Sequence, residues 1–402
     1  MTKSFRVAGL LAFTSIIKGN TGVILLTILI LTLVSLNLLF VPSLLKGLVS
    51  GANERLRNTY SGDIIVTSGT EQELLSNVDE LIGKIEAIDG VTAVTPRNSL
   101  GAKITFGSAR TNAVIYGIQP DQETKVFKIY KSVIEGSYLS PEDRDKILLG
   151  IQVAGAGRPN LELYSRSLQN VHAGDELTVT YANGVQKKYL VKGTFYTEFI
   201  QTDLQAFVSQ EEFQTVFPLS ENRAISIHVK VKTDASIQHI IEQISNIESG
   251  LRIFRWEDYA GIVRSLTDSF NVINAIMNTV NLLIAGITIF IVTYIDVVNR
   301  RRQIGIQRAI GITPVSITMA YLFRALFYAG AGVILAALLF TYSVTPLEAR
   351  YPFHFPFGAV YLVSELPDLA RMAVIVLGVS LVASFLPVRG VMRMKIMDAI
   401  WG

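Results

Sequence analysis

Groups able to do covalent chemistry are sparse in this chain of 402 residues. It has no cysteine, which excludes disulfides, thiol chemistry and cysteine-based metal sites. Its four histidines, His172, His228, His239 and His354, lie far apart without ligand spacing, so no metal is expected. There is no G-x-x-x-x-G-K-[ST] loop to hold ATP, no H-E-x-x-H, and no Ser/His/Asp arrangement with supporting context. Two other constellations stand out. Asn271, Asn274, Asn278 and Asn281 recur at spacings of three, four and three, which places them on one helix face. An unsatisfied amide in or near lipid is costly, so this face must meet protein or water. It lines a cavity or a dimer seam, or it ties helices together by asparagine hydrogen bonds, with Asn37 as a candidate partner. The second constellation is RRRQIGIQRAIGITP, residues 300–314, with four arginines, no acid and the repeats Ile304-Gly305-Ile306 and Ile310-Gly311-Ile312.

The elements that must position these residues are membrane helices. Half the residues are hydrophobic and only 17% are charged, low for a soluble protein. The apolar excess is concentrated in four uncharged runs: 27 residues from Gly19 to Leu45, 27 from Ser269 to Ile295, 23 from Ala325 to Leu347 and 17 from Met372 to Val388. Roughly 17–25 apolar residues cross a bilayer core as a helix. The first run is too long for a secretory signal and lacks a following cleavage pattern.

The chain thus divides into an amphipathic helix on the inner membrane face (1–21), a first span (22–45), a large inserted domain (46–268) and a second span (269–297). A short basic loop (298–318), a third span (319–347), a second short loop (348–371), a fourth span (372–389) and a tail (390–402) follow. The second span continues a stalk helix from about residue 258. Some forty residues of helix reach ~60 Å at 1.5 Å per residue, twice the ~30 Å hydrocarbon thickness. Short segments rich in Lys and Arg stay in the cytoplasm. The N-terminal tail, the loop at 300–308 and the C-terminal tail hold ten basic residues against Asp296 and Asp398. Both termini are therefore expected inside the cytoplasmic (inner) membrane and the inserted domain outside, with 23 basic against 28 acidic residues. The basic residues are accounted for by topology, so no nucleic-acid partner is expected. Ionisable groups are nearly absent from the spans, Arg324 being the nearest case, which disfavours ion-coupled transport.

The inserted domain reads as α+β. Strands are expected at 63–69, 90–97 and 224–232, a hairpin at 102–106 and 112–118, and a tight turn at Asn183-Gly184. Helices are expected over 74–88 and 236–247, with a capping start at Ser209 and Glu212. Gly330, Gly332 and Ala336 suit close helix packing in the third span.

This pattern resembles the MacB-type ABC transporter permeases, a group that includes the lipoprotein-releasing permeases. They carry a segment close to R-x-R-E-I-G-I-L-R-A-I-G-A-T after the second span. Here it reads RRRQIGIQRAIGIT from Arg300 to Thr313, with Gln303 in place of Glu and Gln307 where an apolar residue is common. The family's A-S-x-x-P-x-x-x-A-x-x-x-x-P-x-E-A-L ending is matched by ASFLPVRGVMRMKIMDAI from Ala383, with Ile396 for the second Pro and Asp398 for Glu. ILLGIQVA and GDELTVTY are similar to outer-domain stretches of the family.

The resemblance implies a non-catalytic permease subunit that holds no cofactor, with ATP and magnesium on a separate ABC ATPase. The coupling segment would be Arg300, Arg301, Arg302, Ile304, Gly305, Ile306, Arg308, Ala309, Ile310 and Gly311. Ile304, Ile306, Ala309 and Ile310 would bury against the ATPase, and Arg300 to Arg302 would face its acids or lipid headgroups. The other implied partners are a second permease copy or homologue, membrane lipid, and a periplasmic acceptor or adaptor protein. The implied function is lipoprotein extraction, or export of peptide or drug-like substrates from the outer side. The alternative is a signalling subunit like the cell-division members of the superfamily, which regulates an extracytoplasmic hydrolase. A membrane enzyme is a third reading, without a recognisable nucleophile.

Overall fold

A computed structural model describes residues 2–17, 19–70, 73–155, 163, 166–248, 250–259, 261–355 and 358–393. The expected tail beyond residue 393, including Ile396 and Asp398, lies outside the described residues. The chain forms two compact units, one of residues 1–48, 266–353 and 360–402, the other of residues 49–265 with 354–359.

The first unit is helical. Its main elements are α1 (Thr2–Ile17), α2 (Thr21–Arg55, as far as residue 48), α3 (Gly261–Asn299, from residue 266), α4 (Arg301–Ala309), α5 (Pro314–Leu339) and α6 (Leu366–Met392). The helices α2, α3, α5 and α6 are each long and apolar enough to cross a membrane. Their shared core joins Leu31, Val34 and Leu39 of α2 to Ala285 and Ile289 of α3, with Ala329 and Val333 of α5 and Val376 of α6. Of the small residues expected to let helices approach, Gly332 does so. A Cβ there would lie 2.8 Å from the Cβ of Leu31, so only glycine lets α5 come this close to α2. Gly330 has nothing near it, and Ala336 is fully buried. Helix α1 packs Ala8 and Ala12 on Ala320 of α5 and leaves Leu10, Phe13 and Ile17 exposed. The expected stalk helix differs in detail. A four-residue turn, Trp256–Tyr259, precedes α3, which starts at Gly261 and runs 39 residues.

The second unit is built on ten strands: β1 (Ile64–Ser68), β2 (Val91–Phe106), β3 (Ala109–Ile118), β4 (Val133–Gly136), β5 (Lys146–Gly150), β6 (Glu176–Tyr181), β7 (Gln186–Phe195), β8 (Gln205–Ser209), β9 (Ser226–Val231) and β10 (Leu251–Arg255). They pair in the order β10-β1-β9-β2-β3-β8-β5-β7-β4, and β6 pairs both β2 and β7. The ring β2-β3-β8-β5-β7-β6 therefore closes on itself and removes its own edges. Ile104, Ile115, Leu149, Val179, Val191 and Val208 from all six strands share one core. A second core packs β1, β9 and the first half of β2 against the helices Val78–Glu86 and Ile237–Ser245.

One buried ion pair stands between these cores. Arg97 of β2 gives Nε to Glu123 Oε1 at 3.0 Å and also donates Nη2 to the same carboxylate, and both side chains are 2% exposed or less. Arg97 Nη1 donates to the Tyr60 carbonyl at 3.0 Å, and the guanidinium lies 3.7 Å from the ring centre of Phe127. His228 sits edge-on to the same ring. Burial and the nearby Arg97 charge lower its pKa to about 3, so the imidazole is neutral. Its Nδ1 donates to the Ser61 carbonyl at 2.8 Å, and its Nε2 accepts from Ser226 Oγ at 2.9 Å.

Candidate functional site: a wedged basic helix and an asparagine-lined cavity

The basic loop folds into α4. Helix α3 stops at Asn299 and Arg300 turns the chain into a new helix. The far end is set by Gly311, whose φ of 95° suits glycine alone. Gly311 N donates to Arg308 O at 3.1 Å and Ile312 N to Gln307 O at 3.0 Å, the paired bonds of a Schellman stop. Thr313 then caps α5, accepting from Ser316 N, with Pro314 at the first helical position.

The structure divides the expected coupling residues into two sets. Ile304 is 3% exposed and packs with Val297 of α3, Ile317 and Tyr321 of α5, and Val388 and Val391 of α6. It is therefore not free to bury against a partner as expected, and instead seats α4 on the ends of three spans. Arg300 is likewise committed within the chain. Its Nε pairs with Asp296 Oδ1 at 3.0 Å and its Nη1 donates to Ser15 Oγ at 3.1 Å. Gly305 is buried. Arg302, Ile306, Ala309 and Ile310 are exposed, with Ile306 at 48% and Ile310 at 73%. Arg301 and Arg308 are half-buried. A helix with exposed isoleucines on one side and a buried isoleucine on the other can receive a partner while braced from behind.

Arg324 has a place that sequence reasoning did not give it. It pairs with Asp296 Oδ2 while Arg300 holds Oδ1, and its Nη2 donates to Tyr328 Oη at 3.2 Å. The available signal was the lone acid ending the second span and the lone base in the first half of the third. Two such charges near one membrane face stay only if paired.

The asparagines split in the same way. Asn281 is 9% exposed and donates Nδ2 to Asn37 Oδ1 at 2.7 Å, the tie between α3 and α2 that the spacing suggested. Asn274 and Asn278 border a cavity of about 160 Å³ together with Leu39, Lys46, Asp368 and Arg371. Asn274 Oδ1 is buried there without a partner. Asn271 is exposed and outside this group. Lys46 joins α2 to the start of α6 through Glu365 at 3.0 Å and Asp368 at 3.4 Å. Asn281→Leu is expected to strand the Asn37 amide and lower thermal stability in detergent by about 0.5–2 kcal/mol. Asn278→Leu should leave unfolding unchanged and alter substrate turnover. Equal losses of stability in both would make the whole stripe a packing feature.

Comparison with known families accords with this geometry. A model described as the MacB-like periplasmic core domain matches residues 24–247, over half the chain, and one described as the FtsX-like permease C-terminal matches residues 275–396. Comparison with curated proteins gives no match. Among solved structures, the chain is similar to the periplasmic region of MacB from Actinobacillus actinomycetemcomitans, at 12% identity and a TM-score of 0.37, over 52% of this chain and 95% of that one. It is also similar to the extracellular domain of the noncanonic ABC-type transporter YknZ from Gram-positive bacteria, at 13% identity and a TM-score of 0.34, over 48% of this chain and all of that one. With four membrane helices and a large extracytoplasmic domain inserted between the first and second, the chain belongs to the MacB/FtsX-like family of ABC transporter permeases.

Proposed function

We propose that the chain couples ATP hydrolysis by a separate ATPase subunit to movement of its extracytoplasmic domain. Permeases of this family work with an ABC ATPase partner. The observation that carries the reading is α4 itself, whose Ile306 and Ile310 are exposed while Ile304 is wedged against α3, α5 and α6. A load applied to α4 reaches three spans through one buried side chain. The ATPase would hold ATP and magnesium and press on this helix from the cytoplasm. Helix α3, 39 residues long and unbroken, would carry the displacement outward.

A second permease copy, or a homologue, would cover α3. This helix is the least buried of the four spans, and Ile276, Val280, Leu283 and Ile287 are exposed along it. The substrate would be a lipoprotein, or a peptide or drug-like amphiphile, taken from the outer side and handed to a periplasmic acceptor or adaptor. The cavity at Asn274 and Asn278 supports this, since it sets amides and charges beside leucines.

The cysteine-free sequence makes the topology directly testable. A cysteine replacing Asn183 should react with an impermeant maleimide in intact cells or spheroplasts. One replacing Ile310 should react only after the membrane is opened. Labelling of both from the same side would overturn the assignment of α4 to the ATPase.

A further inference from the structure

A cavity of about 380 Å³ lies beside α4, bordered by α1, α4 and α5. Its polar lining is one-sided in charge. Arg300, the residue that caps the start of α4, lines it with Gln303 and Gln307 of α4, and Arg324 lines it from α5. No carboxylate borders it among the described residues, and Asp296 behind it offsets only one of the two guanidinium charges. Arg324 is 7% exposed, and its Nε is buried with no hydrogen-bond partner in the protein. A buried donor left unpaired is costly, and more so for a charged group. It calls for an acceptor.

The rest of the lining is apolar, with Leu11 of α1 and Ile317 of α5 among it. Leu10, one turn before Thr14 on α1, continues that surface as an exposed apolar side chain. A ligand suited to both parts carries anionic oxygens at one end and hydrocarbon at the other. Two guanidinium groups and two amides offer more donors than the two oxygens of a carboxylate use well, and a tetrahedral phosphate presents oxygens in several directions.

We infer that this cavity binds the phosphate headgroup of an anionic phospholipid, whose acyl chains leave along α1. The site goes beyond the coupling function proposed above and does not depend on which side of the membrane α4 occupies. A lipid held there touches α1, α4 and α5 at once, so the seat of α4 depends on the surrounding bilayer. Gln303 and Gln307 are the specificity-determining positions, because a carboxylate at either would cancel the remaining positive charge.

The test uses the full chain in nanodiscs of mixed phosphatidylcholine and phosphatidylglycerol, then native mass spectrometry after detergent extraction. The unaltered protein should retain phosphatidylglycerol in preference to phosphatidylcholine. Gln303→Glu, an exposed and nearly isosteric change, should lower that retention by roughly tenfold or more, because a charged donor–acceptor contact becomes a repulsion. Gln303→Ala, which removes one donor without adding charge, should give a smaller loss. Thermal unfolding should not distinguish the three proteins. Equal retention of phosphatidylglycerol by Gln303→Glu, or equal retention of the two lipids by the unaltered protein, would overturn the site. Displacement of the bound lipid by soluble glycerol phosphate would overturn the lipid assignment, because the site would then recognise free phosphate.

Discussion

Replacing Glu123 by Gln is expected to destabilise the extracytoplasmic domain by about 3–5 kcal/mol, the usual cost of leaving one member of a buried ion pair without its counter-charge. Glu123 is fully buried and is the carboxylate that Arg97 contacts. With that charge removed, the guanidinium stays enclosed by Phe127, Tyr116 and Phe207, where water cannot replace the lost partner. The neighbouring imidazole offers no relief. His228 is neutral near pH 7, and its Nδ1 proton is already donated to Ser61. For a domain of this size the loss corresponds to a fall in Tm of about 10 °C, readable as lost hydrogen-exchange protection in β2 and β9 of the full-length protein. The double change Arg97→Met with Glu123→Leu should recover much of the loss, because well-packed apolar replacements often match a buried pair. If Glu123→Gln alone left protection unchanged, the pair would be acting as a surface bridge, contrary to its burial.

The parts of this architecture that were legible in the sequence depend on local chemistry. Asn183-Gly184 forms the turn between β6 and β7, with Gly184 at φ 88°. Ser209 Oγ accepts from Glu212 N at 3.2 Å, as the capping pattern indicated. The four spans follow from uncharged length. What was not legible depends on partners distant in sequence. The strands expected at 90–97 and 102–106 are one strand, β2, because it changes partners instead of turning. Val91–Arg97 pair with β9 and Asn98–Phe106 with β3. At the changeover the Asn98 side chain donates to Arg223 O at 2.8 Å and accepts from Ile225 N at 3.2 Å, supplying bonds that the ladder lacks. The helix expected over 74–88 is shorter, Val78–Glu86, because Leu75–Ser76 are drawn into pairing with Arg223–Ala224. In the basic loop, spacing identified the apolar residues of α4 but not which of them its own chain would claim. Ile304 and Ile306 are equivalent by composition, and only the packed ends of α3, α5 and α6 separate them.

That separation gives the other large effect. The double change Ile306→Asp with Ile310→Asp is expected to abolish stimulation of the partner ATPase, with the protein still inserted and folded. Both side chains are exposed, so their loss should cost folding no more than about 0.5 kcal/mol. In a docked complex the same positions would become the apolar centre of the contact. Two carboxylates buried there should cost about 2–4 kcal/mol of binding, a loss of about thirtyfold to a thousandfold in affinity. The measurement is ATPase rate against permease concentration for the co-reconstituted subunits, with a pull-down to separate binding from turnover. Two comparison variants locate the effect. Ile304→Asp should unfold the corner itself, since it places a charge among Val297, Tyr321 and Val388. Gly311→Val should leave the exposed face chemically intact but fray the end of α4, because a β-branched residue at positive φ is strained by about 1–2 kcal/mol. It should weaken coupling more than binding, since the partner would still find Ile306 while the helix delivered less of the load. Normal stimulation by the double aspartate variant would mean that the ATPase grips another surface. Ile304 would then be a packing residue of the spans, and α4 would have no part in transmitting force.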